Sequence, residues 1–183
     1  MDKDNEVNPV VLKDRIARRL IDVKAVEFGE FTLASGRKSD VYVNMKRALT
    51  YPDILAMCAQ AMALHAPESD RVAGVALGAV PLAVAISLET GMPYLMIRKK
   101  AKGHGLRNLI EGAIEEGDRV FMVEDVTTTA GSAVPGVEAL REAGAHMDTL
   151  VVVVDRCEGA TQTMADAGVN LIPVLTLDEL RAM

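Results

Sequence analysis

The stretch VFMVEDVTTTAGS, Val120 to Ser132, places four apolar residues directly before two adjacent carboxylates, followed by small hydroxyl residues and a glycine. A short apolar run of this kind reads as a buried strand, Val120 to Val123. Glu124 and Asp125 then stand at the edge of a sheet, where they accept hydrogen bonds from paired sugar hydroxyls. Thr127, Thr128, Thr129, Gly131 and Ser132 follow with hydroxyls and unobstructed backbone N–H groups. They precede an expected helix, whose N-terminus favours a phosphate. A molecule carrying both a diol and a phosphate satisfies both halves. The competing reading is an ordinary strand–turn–helix connection in which an acid or a serine caps the helix. The order of apolar run, acid pair, hydroxyls and glycine favours the ligand site.

Two other phosphate-binding patterns are excluded. No Gly-Lys-Ser or Gly-Lys-Thr occurs in the chain, and no G-x-G-x-x-G follows a strand. Outward from the central stretch, Val72 to Leu77, Tyr94 to Ile97, Leu150 to Val154 and Leu171 to Leu175 are likewise short and apolar. Helical segments separate them, and Gly91, Gly144 and Gly168 stand where left-handed caps are wanted. Five parallel strands alternating with helices predict a doubly wound α/β sheet with its ligands at the carboxyl ends of the strands. Ahead of it, Asn8-Pro9 opens a helix with Leu12, Ile16 and Leu20 on one face. Val26 to Leu33 and Asp40 to Lys46 then read as a hairpin, with Val41, Val43 and Met45 alternating with polar neighbours. A further helix runs from Pro52 to about Leu64, with Ile54, Leu55, Cys58 and Met62 facing inward.

The 183 residues fit a single domain, 1–183, with residues 1–46 as a small hood, and such a length buries about 70% of the unfolded surface. Twenty lysines and arginines stand against 26 acids, a net charge of −6, which argues against nucleic acid as a partner. No apolar run approaches the roughly 20 residues of a membrane span, and the charged start is unlike a signal peptide, so a soluble cytoplasmic protein is expected. Cys58 and Cys157 read as reduced, buried thiols. His65, His104 and His146 are too scattered for a zinc pattern, and no metal cage is expected.

Three other strand ends offer chemistry. Gly78-Ala79-Val80-Pro81 is a tight turn into a helix from Leu82 to Thr90, aiming N–H groups outward. Arg98-Lys99-Lys100-Ala101-Lys102-Gly103-His104-Gly105-Leu106-Arg107 is a basic loop in an acidic chain, suited to a polyanion and otherwise a solvated surface loop. Asp155-Arg156 ends the strand beside the acid pair, where the arginine either pairs with Asp155 or Glu158 or takes an acidic ligand.

The segment from Val120 to Ser132 resembles the thirteen-residue signature of the type I phosphoribosyltransferases, which bind 5-phosphoribosyl 1-diphosphate. The resemblance implies a central parallel sheet flanked by helices, with a small N-terminal helix and a hairpin hood. It implies that Glu124 and Asp125 hold the ribose hydroxyls, while Val126, Thr127, Thr128, Thr129, Ala130, Gly131 and Ser132 grip the 5-phosphate. Ala130 departs from the usual glycine and is strained if φ is positive. Gly78 to Leu82 is similar to the loop that contacts the diphosphate in the orotate-specific branch, where some members hold a non-proline cis peptide. Arg98-Lys99-x-x-Lys102-x-His104-Gly105 is similar to that branch's catalytic loop, and Phe28 to Tyr42 to its hood. Ala34 departs from a lysine found in some bacterial members, for which Lys38 is a candidate substitute.

The orotate branch implies transfer of ribose 5-phosphate from 5-phosphoribosyl 1-diphosphate to orotate, a step of pyrimidine nucleotide synthesis. Lys99, Lys102, His104 and Asp125 are the implied catalytic residues, with Arg98 also on the diphosphate and Thr128 and Arg156 on orotate. It further implies a homodimer, in which the basic loop closes over the neighbouring subunit's site, and Mg²⁺ held mainly by diphosphate and water. The rivals are a purine or uracil phosphoribosyltransferase, sharing the phosphate motif, and a non-catalytic ligand sensor of the same fold. The intact Lys99, Lys102 and His104 set argues against the sensor.

Overall fold

The computed structural model describes residues 8–32, 36, 38–99 and 109–183. Helix α1 (Pro9–Asp22) starts where Asn8 predicts, the Asn8 side chain accepting from the N–H groups of Val10 and Val11 at 3.0 and 3.4 Å. Leu12, Ile16 and Leu20 are buried. Strands β1 (Val26–Thr32) and β2 (Lys38–Val43) form the antiparallel hairpin, with Val26 opposite Val43 and Phe28 opposite Val41. The second strand does not continue to Lys46 as expected. Asn44 ends it by accepting from the Arg47 N–H at 3.1 Å, which caps a short helix α2 (Met45–Ala48). Met45 is buried from this helix rather than from the strand.

Helix α3 (Pro52–Ala63) leads into the main sheet, formed by β3 (Arg71–Val75), β4 (Tyr94–Ile97), β5 (Ile110–Glu111), β6 (Val120–Thr127), β7 (Thr149–Asp155) and β8 (Asn170–Thr176). Its order is β5-β4-β3-β6-β7-β8. The five expected strands run parallel, and β5 is an antiparallel edge addition against β4. At two residues β5 is too short to leave a periodic signal. The connecting helices are α4 (Val80–Thr90), α5 (Val134–Glu142) and α6 (Ala160–Asp166), and α7 (Leu177–Arg181) closes the chain. Gly91, Gly144 and Gly168 take φ values of 78°, 91° and 66°, the left-handed caps expected of them.

The central strands are apolar throughout because both of their faces are covered. Phe121, Val123, Val151 and Val153 pack with residues of α1, α3 and α4, while Met122, Leu150 and Val152 pack with Val137, Leu140 and Met164 of α5 and α6. Cys58 lies inside the first cluster, where burial pushes its thiol up to about 12. Cys157 is exposed, contrary to expectation, because it leaves the sheet edge after β7 with φ 58°. No helix among the described residues is long and apolar enough to cross a membrane.

The winding determines where a ligand fits. From β3 the chain moves outward to β4, then returns to place β6 on the other side of β3. The crevice at the carboxyl ends of β3 and β6 is therefore the topological switch point of the sheet. The turn at Gly78 and Asp125 face each other across it.

Candidate active site

Strand β6 continues four residues past its expected end. Val126 pairs with Val154 and Thr127 with Asp155, so the ladder to β7 carries the chain to the sheet edge. Glu124 and Asp125 thus lie within the strand, only 6% and 5% exposed. Successive strand residues point to opposite faces, so the two carboxylates leave the strand on different sides. Burial, reinforced by Asp125, pushes Glu124 up to about 8, against the opposing pull of Lys99 and then Lys46. Burial also raises Asp125, with Lys46 the leading opposing charge.

Beyond β6, residues 128–133 form the connection to α5. The backbone N–H groups of Thr128, Thr129, Ala130, Gly131 and Ser132 meet no acceptor among the described residues. Helix α5 begins at Val134 behind Ala133, which supplies no side-chain cap. A run of free amides leading into an uncapped helix is a cradle for an anion. Thr128, Thr129, Gly131 and Ser132 are exposed, Thr127 is buried and Val126 partly so. Ala130 has φ 55°, the positive angle that makes alanine strained, and its methyl is buried in the cluster beneath the loop.

Two bonds tie this loop to the end of β7. The buried Thr127 hydroxyl donates to Asp155 Oδ1 at 2.9 Å, and the Arg156 N–H donates to the Thr127 carbonyl at 2.9 Å. Asp155 also accepts from the Cys157 N–H at 3.2 Å. The Arg156 guanidinium therefore pairs with Glu158, at 2.8 Å, rather than with Asp155. It lines a cavity of about 350 Å³ with Lys38, Ser39, Asp40 and Arg181, under the hairpin. Lys38, a candidate from sequence, thus shares a cavity with Arg156.

Among the described residues, three buried side-chain polar atoms have no hydrogen-bond partner: Glu124 Oε2, Asp125 Oδ2 and Arg156 Nε. All three belong to residues singled out from the sequence, at adjacent strand ends. Buried polar atoms without partners are costly, and their concentration here marks a place where a ligand supplies the missing bonds.

The basic residues divide. Lys99, exposed just after β4, acts on both acids. Arg98 turns instead to β5, its guanidinium 2.8 Å from Glu111. Lys102, His104 and Ala34 lie outside the described residues. The reading from sequence missed Lys46, which α2 carries to the acid pair; its signal was Asn44, a capping residue where a strand was expected to continue. Across the crevice the peptide between Ala76 and Leu77 is cis, and Gly78 lies against the Asp125 carboxylate.

No group of three His, Cys, Asp or Glu side chains able to hold a metal occurs among the described residues. The unpartnered oxygens of Glu124 and Asp125 fit a different arrangement, in which hard oxygens face a hydrated divalent cation carried by substrate phosphates.

No protein-family model matches the chain. It is 50% identical over 161 residues to the orotate phosphoribosyltransferase of Methanospirillum hungatei, covering 88% of this chain and 93% of that one. The crystal structure of orotate phosphoribosyltransferase from Aeropyrum pernix superposes with a TM-score of 0.81 at 36% identity, covering 91% of this chain and 96% of that one. The Mycobacterium tuberculosis orotate phosphoribosyltransferase in complex with 5-phospho-alpha-D-ribosyl 1-diphosphate superposes with a TM-score of 0.78 at 30% identity, covering 93% and 99% respectively.

Proposed function

Because the chain belongs to the orotate phosphoribosyltransferase family, we propose that it transfers ribose 5-phosphate from 5-phosphoribosyl 1-diphosphate to orotate. The observation that carries this reading is the set of free amides from Thr128 to Ser132 beside the unpartnered carboxylate oxygens of Glu124 and Asp125. The amides take the 5-phosphate and the carboxylates take the ribose hydroxyls. Arg156 and Thr128 hold orotate, whose carboxylate matches the unpartnered Arg156 Nε, and Lys38 adds a second positive charge to the same cavity.

In the reaction the bond from the anomeric carbon to diphosphate breaks as the bond to the orotate ring nitrogen forms. Positive charge develops on the sugar and negative charge on the leaving group, so positioning and charge neutralisation supply the catalysis. Asp125 lies beneath the sugar. Arg98, Lys102 and His104 act on the diphosphate of the neighbouring subunit in a homodimer, while Lys99, which acts on Glu124 and Asp125 of its own subunit, meets the diphosphate bound there. Glu124 and Asp125 would face a Mg²⁺ bound mainly through the substrate diphosphate and water, which would supply positive charge to the leaving group.

The assay supplies 5-phosphoribosyl 1-diphosphate and Mg²⁺ with orotate, uracil, adenine or hypoxanthine in separate reactions, following base consumption and diphosphate release. Orotate alone is expected to turn over, and turnover confined to a purine rejects the assignment. Asp125→Ala and Lys102→Ala, each impaired, regain partial activity on mixing if subunits exchange. A further expected result is that Arg156→Ala raises the KM for orotate by about 100-fold, as loss of a desolvated charge pair requires. The KM for 5-phosphoribosyl 1-diphosphate should stay within about threefold of wild type; an equal rise in both constants places Arg156 outside the base site.

A further inference from the structure

The turn between β3 and α4 presents amides without charge. Among the described residues, the N–H groups of Leu77 and Gly78 meet no acceptor, and Leu77, at the tip, is 72% exposed. A diphosphate placed there, beside two buried carboxylates, requires a cation from another element. Lys99 stands at the end of β4. On the other side, Lys46 of α2 lines a cavity of about 310 Å³ with Thr50, Leu77, Gly78, Val80 and Pro81. Lys46 is the one charged side chain of that lining, and it is exposed and makes no ion pair within 4 Å among the described residues. The same Gly78 that lines this cavity lies against the Asp125 carboxylate.

We infer that Lys46 is a substrate-binding residue, its ammonium contacting the diphosphate of 5-phosphoribosyl 1-diphosphate from the same subunit that supplies Asp125. The inference rests on the proposed reaction and adds to it a residue that neither the signature motif nor the basic loop contains. Lys46 and Lys99 bracket the site, Lys99 leading in its effect on Glu124 and Lys46 in its effect on Asp125. In the free protein Lys46 favours the ionised form of both acids. When substrate brings more negative charge into the crevice, the ammonium is already beside it, on the turn whose amides face the same group. The short capped helix fixes that position, since Asn44 locks the first turn of α2.

Lys46→Ala is expected to raise the KM for 5-phosphoribosyl 1-diphosphate by about 10- to 100-fold, the loss of one charge-assisted bond, and to leave the KM for orotate within about threefold. Lys46→Arg should recover most of the loss, and Lys46→Gln, which keeps a polar, unbranched side chain on the surface helix but no charge, should reproduce it. Binding of inorganic diphosphate with Mg²⁺, measured by calorimetry, should weaken to the same extent. That arm decides the role of Lys46 even if wild type turns over another base. Mixing separates the subunits: Lys46→Ala with Lys102→Ala regains activity, whereas Lys46→Ala with Asp125→Ala does not. Diphosphate affinity and substrate KM both within threefold of wild type overturn the inference, as does recovery in the mixture with Asp125→Ala. If Lys102→Ala and Asp125→Ala fail to complement despite proven exchange, the shared site falls, and diphosphate affinity alone decides Lys46.

Discussion

Gly78→Ala is expected to lower kcat/KM for 5-phosphoribosyl 1-diphosphate by about two to three orders of magnitude, although position 78 carries no functional group. A Cβ built there stands 2.2 Å from Asp125 Oδ2 and 2.4 Å from Asp125 Cγ. Neither group gives way easily: Asp125 is buried and carried by a strand paired on both sides, and Gly78 lies in a turn between β3 and α4. Either the carboxylate rotates away from the proposed ribose site or the turn proposed to hold the diphosphate moves outward, and on that reading both misplace groups that must act together. Overpacking of this kind also destabilises by about 1 to 3 kcal/mol. A double-mutant cycle isolates the cause. In an Asp125→Ala background the clash is gone, so Gly78→Ala should then cost little stability and no further activity. Wild-type kcat/KM in the Gly78→Ala single variant would show that the close approach of turn and carboxylate has no catalytic role.

The contact between Gly78 and Asp125 also shows what a sequence carries and what it omits. Each strand end was legible alone, because apolar runs, acids, hydroxyls and glycines are local signals. Their juxtaposition across the switch point was not, since it depends on β6 returning to the far side of β3. The limits of β6 were misjudged for a related reason. Glu124 and Asp125 look like the end of an apolar strand, but pairing with β7 carries the ladder through them to Thr127, and this gives the two acids their burial. The strain expected at Ala130 was readable because the motif specified glycine, and φ 55° bears it out.

The surroundings of Lys46 and Arg98 are set by short-range competition between elements. Val41, Val43 and Met45 alternate as a strand should, and a strand extended to Lys46 gives no reason to connect that lysine with the acids. Asn44 diverts the backbone into a helical turn instead, and Lys46 reaches the crevice. Arg98 opens the basic loop, and its position in the sequence carries no sign of a partner outside that loop. A two-residue edge strand with no periodic signature supplies Glu111 as its partner. The cavity beside Arg156 was only partly legible, because its lining joins the hairpin, the end of β7 and α7, which are distant in sequence.

Glu124→Gln should make the ligand-free protein more stable at alkaline pH while severely weakening binding of 5-phosphoribosyl 1-diphosphate. Glu124 in the folded chain is pushed up to about 8, from an ordinary value of 4.5, chiefly by burial and then by Asp125. A raised value means that the folded state holds its proton more tightly than the unfolded state does. The contribution of this proton to stability is therefore fully present below about 4.5 and is lost as pH rises through about 8. Glutamine is neutral at every pH and avoids that loss. At pH 5 the variant and wild type should unfold at similar temperatures. At pH 9 the variant should gain on the order of 5 kcal/mol, since each tenfold difference in proton affinity between the folded and unfolded chain is worth about 1.4 kcal/mol. For a chain of this length that corresponds to about 10 to 20 °C in Tm. Glutamine keeps one acceptor oxygen but puts an NH2 donor where the other carboxylate oxygen stood, so at the proposed ribose site the same change should weaken substrate binding by about 100-fold. Because bound hydroxyls favour the ionised acid, wild type should also release protons on binding near pH 7, to an extent that calorimetry in buffers of different ionisation enthalpy measures and that Glu124→Gln reduces. A Tm difference that does not grow with pH would show that Glu124 is ionised in the folded protein at no stability cost. Together with unchanged proton release, it would remove this acid from the ribose site.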